Sequence, residues 1–234
     1  ITYDVGHIKT KRVVLGLLKK NYRVTILVFP FKKRNKKKIR LLNPKIFKCR
    51  PYPIIKNLNN ENFYKKLGVT YLKISSWEKN NINIFNLKNK KKVIYLDTVS
   101  KIIPKFFIGK KTILNAHPGV LPINRGLDAF KWGIIKNYPF GVTLHKINKE
   151  VDSGIILKVK YIKINKKTKL KEVVKISFNY ECDLLINFEK YVKNLKKKIR
   201  VGNNFPLSEE RIPLFFEKKL SNIFEKKKNI FQKL

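Results

Sequence analysis

The chain has 234 residues, of which 43% are hydrophobic, enough for one substantial domain with a small extension and too many for a disordered chain. It contains no run of ~18 consecutive apolar residues, so no membrane-spanning helix is expected, and its opening residues show no signal-peptide pattern. Its 55 basic against 15 acidic residues, formally +40, attract RNA, DNA and acidic lipid alike and so single out none of them.

The predicted elements run as follows. Residues 1–3 read as the stub of a first strand, truncated if the absence of Met and the start at Ile1 are taken together. A helix follows over 10–20, with Val13, Val14, Leu17 and Leu18 as its apolar stripe. Residues 22–29 (YRVTILVF) are β-branched and aromatic and predict a buried strand. A short helix is expected over 61–67, with strands over 69–74 and 92–96. Residues 112–114 re-enter the sheet and deliver Asn115 at a strand end. A helix over 128–136 and strands over 142–147 and 155–164 complete the alternation, the last with a clean period of two. From Thr168, read as an N-cap, the period becomes helical through Leu170, Val173, Val174, Phe178, Leu185, Phe188 and Val192. A break at 202–206 precedes a Lys/Phe-rich tail that reads as an appended helix.

Strands alternating with helices predict an α/β fold, a Rossmann-like, mostly parallel sheet flanked by helices. The expected division is a catalytic region over 1–165 and a small, mainly helical C-terminal extension over 166–234. The basic residues are mostly lysines spread along the whole chain, and the runs at 32–40 and 196–200 read as solvated loops. No zinc finger, ribonucleoprotein motif or helix-turn-helix signature accompanies them. Cys49 and Cys182, far apart in the chain, fit buried thiols of a reduced, cytoplasmic compartment better than a disulfide or metal framework.

Ligands in open α/β sheets bind outside the carboxyl ends of the strands, so the residues at and after Asn115 are where chemistry is expected. There the chain reads Asn115-Ala-His117-Pro118-Gly119-Val120-Leu121-Pro122, then Arg125-Gly126, and later Gly141-Val-Thr-Leu-His145 and Glu150-Val-Asp152-Ser-Gly154. A lone His after a strand is usually structural, and Asp152 alone would serve as an Asx-turn former. The order of the three segments is the stronger signal: a polar pair ends a strand, a Pro/Gly-punctuated loop follows, and an Asp-Ser-Gly turn precedes an alternating strand.

This succession resembles the catalytic domain of the folate-dependent formyltransferases. That family includes the phosphoribosylglycinamide, methionyl-tRNA and sugar N-formyltransferases and the formyltetrahydrofolate deformylases. The resemblance is close over about 94–161 and holds only in outline elsewhere. Its Asn-x-His…Asp set falls on Asn115, His117 and Asp152, its Leu-Pro-x-x-Arg-Gly loop on 121–126 and its Val-Asp-x-Gly turn on 151–154. It implies transfer of a formyl group from 10-formyltetrahydrofolate to a primary amine through a tetrahedral intermediate. Asn115 and His117 would face the oxyanion, Asp152 would keep His117 protonated or relay protons, and Gly119, Gly126 and Gly154 would admit close backbone approach. It also implies a folate site at Ile102, Ile103 and Pro104 and at Glu150 and Val151, covered by Leu121. His145 reads as structural. His7, in the first strand-to-helix turn, is a candidate for the amine pocket, and Arg125 with Gly126 for a phosphate or for closing the loop.

Departures from the relatives bear on the acceptor. The Ser/Asn-containing glycine-rich turn of a glycinamide-ribotide enzyme is replaced here by residues 3–10 (YDVGHIKT). A methionyl-tRNA enzyme carries a β-barrel-like C-terminal domain, whereas the roughly 70 residues after Ile164 have a helical pattern. A deformylase carries a regulatory domain ahead of the catalytic one, for which no room is expected here. The stretch 125–132 (RGLDAFKW) looks closest to enzymes acting on amino-sugar nucleotides. The expected partner is a small, nucleotide-linked amine, with a homodimer allowed. Methionyl-tRNA and glycinamide ribotide stay open as acceptors, and a basic RNA-binding module on a Rossmann-like scaffold is the reading from another class.

Overall fold

The computed structural model describes residues 1–3, 6–30, 60–74, 93–99, 103–109, 111–193, 200–201 and 207–234. The basic run at 32–40, most of that at 196–200, Cys49, Ile102 and the break at 202–206 lie outside them. The described residues fall into two compact units, one drawn from 1–30 and 60–115 and the other from 116–234.

The first unit is parallel α/β. It contains β1 (Thr2–Tyr3), α1 (Ile8–Leu18), β2 (Thr25–Phe29), α2 (Asn60–Lys66), β3 (Thr70–Lys73), β4 (Ile94–Asp97) and α3 (Lys105–Ile108). Strand β5 (Thr112–His117) begins in it. Strands β1, β2 and β3 pair in parallel in that order, and β4 pairs in parallel with β5, Asp97 opposite Asn115. Residues 26–29 of β2 are all buried, as expected for a strand covered on both faces. Val14 of α1, Ile26 and Val28 of β2, Tyr64 of α2 and Val69 make the core of this unit. Burying such side chains contributes ~1.5–3 kcal/mol each.

The second unit holds α4 (Ala129–Lys136), β6 (Gly141–Lys146), β7 (Gly154–Tyr161), α5 (Leu170–Ile186), α6 (Glu189–Val192), β8 (Arg200–Val201) and α7 (Leu214–Gln232). Its strands β6, β7 and β8 are antiparallel. Every residue of the helical stripe 170–192 read from the sequence is buried, with Val173 and Leu185 at 0% exposure, and Cys182 is a thiol equally enclosed. Thr168 is not the cap of α5. Its hydroxyl accepts the Asn165 N–H (2.9 Å) and closes the 165–168 turn, so the helix starts one residue later and Glu172 reaches back to the Lys169 N–H (2.9 Å).

The Lys/Phe-rich tail is the helix α7, and it is part of the core rather than an appendage. Leu220, Phe224 and Phe231 pack with Phe130 and Ile134 of α4, Phe140, and Leu170 and Val173 of α5. The Phe140 and Phe231 rings meet edge to face at 4.9 Å, and Lys227 Nζ donates to the last carbonyls of α4 at Ile134 and Ile135. Among the described residues, no helix is long and apolar enough to cross a membrane.

Candidate active site

Strand β5 runs on through His117, three residues past the boundary expected from the sequence, so the Asn-x-His pair lies within the strand rather than after it. Alternation along a strand puts Asn115 and His117 on the same face of β5. His117 is only 4% exposed, yet both of its ring nitrogens have acceptors. Nδ1 faces Asp152 Oδ1 at 3.3 Å, and Nε2 faces the Asn124 backbone carbonyl at 2.8 Å. A neutral imidazole satisfies one of these, an imidazolium both. Burial alone would push the His117 pKa down. The Asp152 charge and hydrogen bond, the Asn124 carbonyl and the Glu181 carboxylate outweigh it and hold the pKa above the usual value.

Asp152 sits in the turn between β6 and β7 in a left-handed conformation (φ 45°), which Asp tolerates better than most residues. Its Oδ2 accepts the Gly126 N–H at 2.9 Å, and its Oδ1 lies 3.9 Å from His145 Nε2 as well as facing His117. Burial raises the pKa of this carboxyl, but the two histidines and the Gly126 amide more than reverse that, so it is lowered and the group is ionised. His145 is fully buried on β6, with Nδ1 bonded to the Ser153 carbonyl at 3.1 Å. Burial, with the neighbouring His117 charge, pushes its pKa down to about 4 against the pull of Asp152. A histidine with a raised pKa, an ionised carboxylate and a histidine with a lowered pKa therefore lie together here.

The loop 118–128 is fixed on several sides. The fully buried Thr143 hydroxyl of β6 donates to the Gly119 carbonyl (2.7 Å) and accepts the Leu121 N–H (3.0 Å). Gly119 is required because a Cβ there would meet His117 Nε2 and the Asn124 carbonyl, each at 2.8 Å. Asn124 Nδ2 donates to the Ala129 carbonyl at 2.8 Å and ties the loop to the start of α4. Sequence reasoning passed over Asn124 and Thr143; a buried polar residue in a Pro/Gly-punctuated loop was the available signal for the first. It also passed over Ile123 and Leu127, which with Val151 are exposed apolar side chains on these two loops.

The remaining candidates are placed as follows. The Arg125 guanidinium is buried and donates from Nη2 to the Val151 carbonyl (2.8 Å), linking the loop to the Asp152 turn. Gly126, at φ 95°, closes against the backbone of Glu209 and presents its amide to Asp152. Leu121 lies in a small core with Ile156 and Val159. Glu150 is exposed, its N–H bonded to Asn148 Oδ1 (2.9 Å), and Val151 is 40% exposed. In the first unit Ile103 is buried and Pro104 precedes α3. His7 caps α1, its Nδ1 accepting the Thr10 N–H at 3.4 Å.

A buried histidine paired with a carboxylate at the end of a strand has the makings of a group-transfer site. The family model described as formyl transferase matches residues 24–187, and the chain belongs to that family. A methionyl-tRNA formyltransferase of Prochlorococcus marinus (strain MIT 9515) is 32% identical over 101 residues, 42% of this chain. The matched part spans 31% of that relative's length. The fold is also that of a sugar N-formyltransferase from Shewanella sp FDAARGOS_354, at a TM-score of 0.54 and 18% identity, covering 95% of this chain and 85% of that one. A phosphoribosylglycinamide formyltransferase from Anaplasma phagocytophilum has a TM-score of 0.55 and 16% identity, covering 91% and 94%.

Proposed function

We propose that this chain transfers a formyl group from 10-formyltetrahydrofolate to the primary amine of an amino-sugar nucleotide in the cytoplasm. The observation that carries the reading is His117, buried between the Asp152 carboxylate and the Asn124 carbonyl, which together favour its protonated form. The amine lone pair attacks the formyl carbon, the carbonyl π pair moves to oxygen, and a tetrahedral oxyanion forms. Collapse breaks the bond to the folate nitrogen, which takes up a proton as the amine nitrogen gives one up. His117 Nε2–H turns from the Asn124 carbonyl to the oxyanion and the Asn115 amide supplies a second donor, each such donor lowering the barrier by ~3–4 kcal/mol. Asp152 keeps the imidazolium charged and oriented through Nδ1.

Ile103, Pro104, Glu150 and Val151 stay assigned to the folate by the family resemblance. The apolar side chains of Ile123, Leu127 and Val151 suit a flat heterocycle. The acceptor reading rests on the stretch 125–132; the shared fold does not choose among acceptors, since sugar and glycinamide-ribotide enzymes both have it. The test is incubation with 10-formyltetrahydrofolate and a panel of amines (amino-sugar nucleotides, glycinamide ribotide, methionyl-tRNA), following tetrahydrofolate release. Fastest release with an amino-sugar nucleotide, abolished in His117→Ala, is expected. Release with none of the panel sinks the enzyme reading, and steeply salt-dependent RNA binding unaffected by His117→Ala would put the binding module in its place.

A further inference from the structure

Residues 207–213 run beside the loop that carries Asn124, Arg125 and Gly126. The Glu209 N–H donates to the Arg125 carbonyl at 2.9 Å, and the Leu127 N–H donates to the Glu209 carbonyl at 2.8 Å, forming a parallel bridge between Glu209 and Gly126. The segment is tied down further along. The Ile212 N–H donates to Asp128 Oδ2 (3.3 Å), the Trp132 indole N–H donates to the Glu210 carbonyl (2.7 Å), and the Glu209 carboxylate pairs with Lys136.

The direction of these bonds matters more than their number. In such a pairing, the carbonyl before and the N–H after the central residue face the partner, and the central residue's own amide faces the other way. The central residue is Gly126, and on that other side its N–H meets Asp152 Oδ2 at 2.9 Å. The register of Glu209 against the loop therefore aims the amide that grips the carboxylate. Arg125 adds a second link: its carbonyl takes Glu209, while its guanidinium takes the Val151 carbonyl in the turn that carries Asp152. The residue before Arg125, Asn124, supplies the carbonyl that holds His117 Nε2.

We infer that Glu209 is a positioning residue for the Asp152–His117 pair, acting through the backbone of Gly126, so that the C-terminal segment is a working part of the site. The catalytic half of this rests on the formyl-transfer reading; the positioning half does not. Glu209→Pro in the full chain removes the N–H given to Arg125. Trp132→Phe keeps an aromatic side chain but loses the indole N–H given to Glu210, a milder loosening in case the proline variant does not fold. The readout is the His117 titration by NMR, with no formyl donor or amine present, assignable because the chain has three histidines.

The expected result is a lower His117 midpoint in both variants, larger for Glu209→Pro, because a displaced Asp152 supports the imidazolium less. With the best acceptor, kcat falls by about tenfold while KM for the amine stays within about twofold, and the pH profile of kcat moves with the His117 midpoint. A folded variant with a lower melting temperature and an unmoved His117 midpoint and pH profile would overturn the inference and reduce the segment to scaffolding. If the midpoint moves but the unaltered protein transfers no formyl group, the positioning stands and the formyl-transfer reading fails.

Discussion

Each unit places a histidine close to the C-terminal end of a strand, and the two are surrounded differently. In the first unit, His7 follows β1, and Thr10 meets its Nδ1 with both backbone amide and hydroxyl. That hydroxyl bonds the Thr2 and Thr98 hydroxyls at 2.7 Å each, and the Thr98 hydroxyl donates to the Ile1 carbonyl at 2.8 Å. In the second unit, His117 is clasped by a carboxylate and a carbonyl, with His145 beside the same carboxylate. Hydroxyls donate or accept as required, so a threonine chain commits to no charge state. An imidazolium between two acceptors commits to one. The first arrangement suits recognition and packing; the second suits holding a charge where one must be stabilised.

The largest expected effect comes from discharging the second region. Asp152→Asn keeps a side chain that accepts φ 45° and removes the negative charge. Formyl transfer, followed as tetrahydrofolate release, falls by about 10²–10⁴-fold, and the His117 NMR midpoint drops. A variant with wild-type kcat would mean that the charge is structural only.

Gly126→Ala comes next. The added Cβ collides with the Glu209 backbone at a φ of 95° that L side chains rarely adopt, so urea denaturation should show a loss of ~2–4 kcal/mol. A loss under about 1 kcal/mol would mean that the 207–213 segment yields easily.

Protons give the third measure. The His145 pKa lies near 4 in the folded chain, below the ~6.5 of an unfolded one, so the unfolded state binds more protons between these values. Stability conferred by a neutral His145 is complete above pH ~6.5 and fades by ~2–3 kcal/mol as the pH falls toward 4. His117 has the opposite sign, because its folded pKa is raised. Its contribution is complete below ~6.5 and fades as the pH rises through the folded value. Urea midpoints against pH should therefore peak near neutrality, and His145→Asn should flatten the acid side alone. An unchanged acid slope in that variant would assign the slope to other groups.

The smallest effect belongs to the first region. Thr10→Val removes the hydroxyl shared by Thr2, Thr98 and His7 and costs ~1–2 kcal/mol in urea melts, with a pH dependence parallel to that of the unaltered chain.

Side-chain pattern announced a good part of this. The β-branched run of β2 and the helical stripe from Leu170 to Val192 were readable because burial demands apolar residues at a fixed period. Asn115, His117 and Asp152, each weak alone, stood out through the order of their three segments and its resemblance to one family. What escaped was carried by the backbone. The Asn124 carbonyl on His117 and the Glu209 bridge to Gly126 involve groups that every residue possesses, so no residue type marks them. Thr168 misled for a related reason: its hydroxyl had a local turn to close, which competes with capping. Arg125 read as a phosphate contact or as closing the loop; its guanidinium is buried and links the loop to the Val151 carbonyl.

The enclosed thiol of Cys182 on α5 has a practical consequence. At 0% exposure it is out of reach of any alkylating reagent while the helix stays packed, so its rate of modification clocks the opening of the second unit. In a Cys49→Ser background that single chemical clock, read with and without formyl donor or acceptor, reports whether a bound molecule slows the breathing of the core around His117.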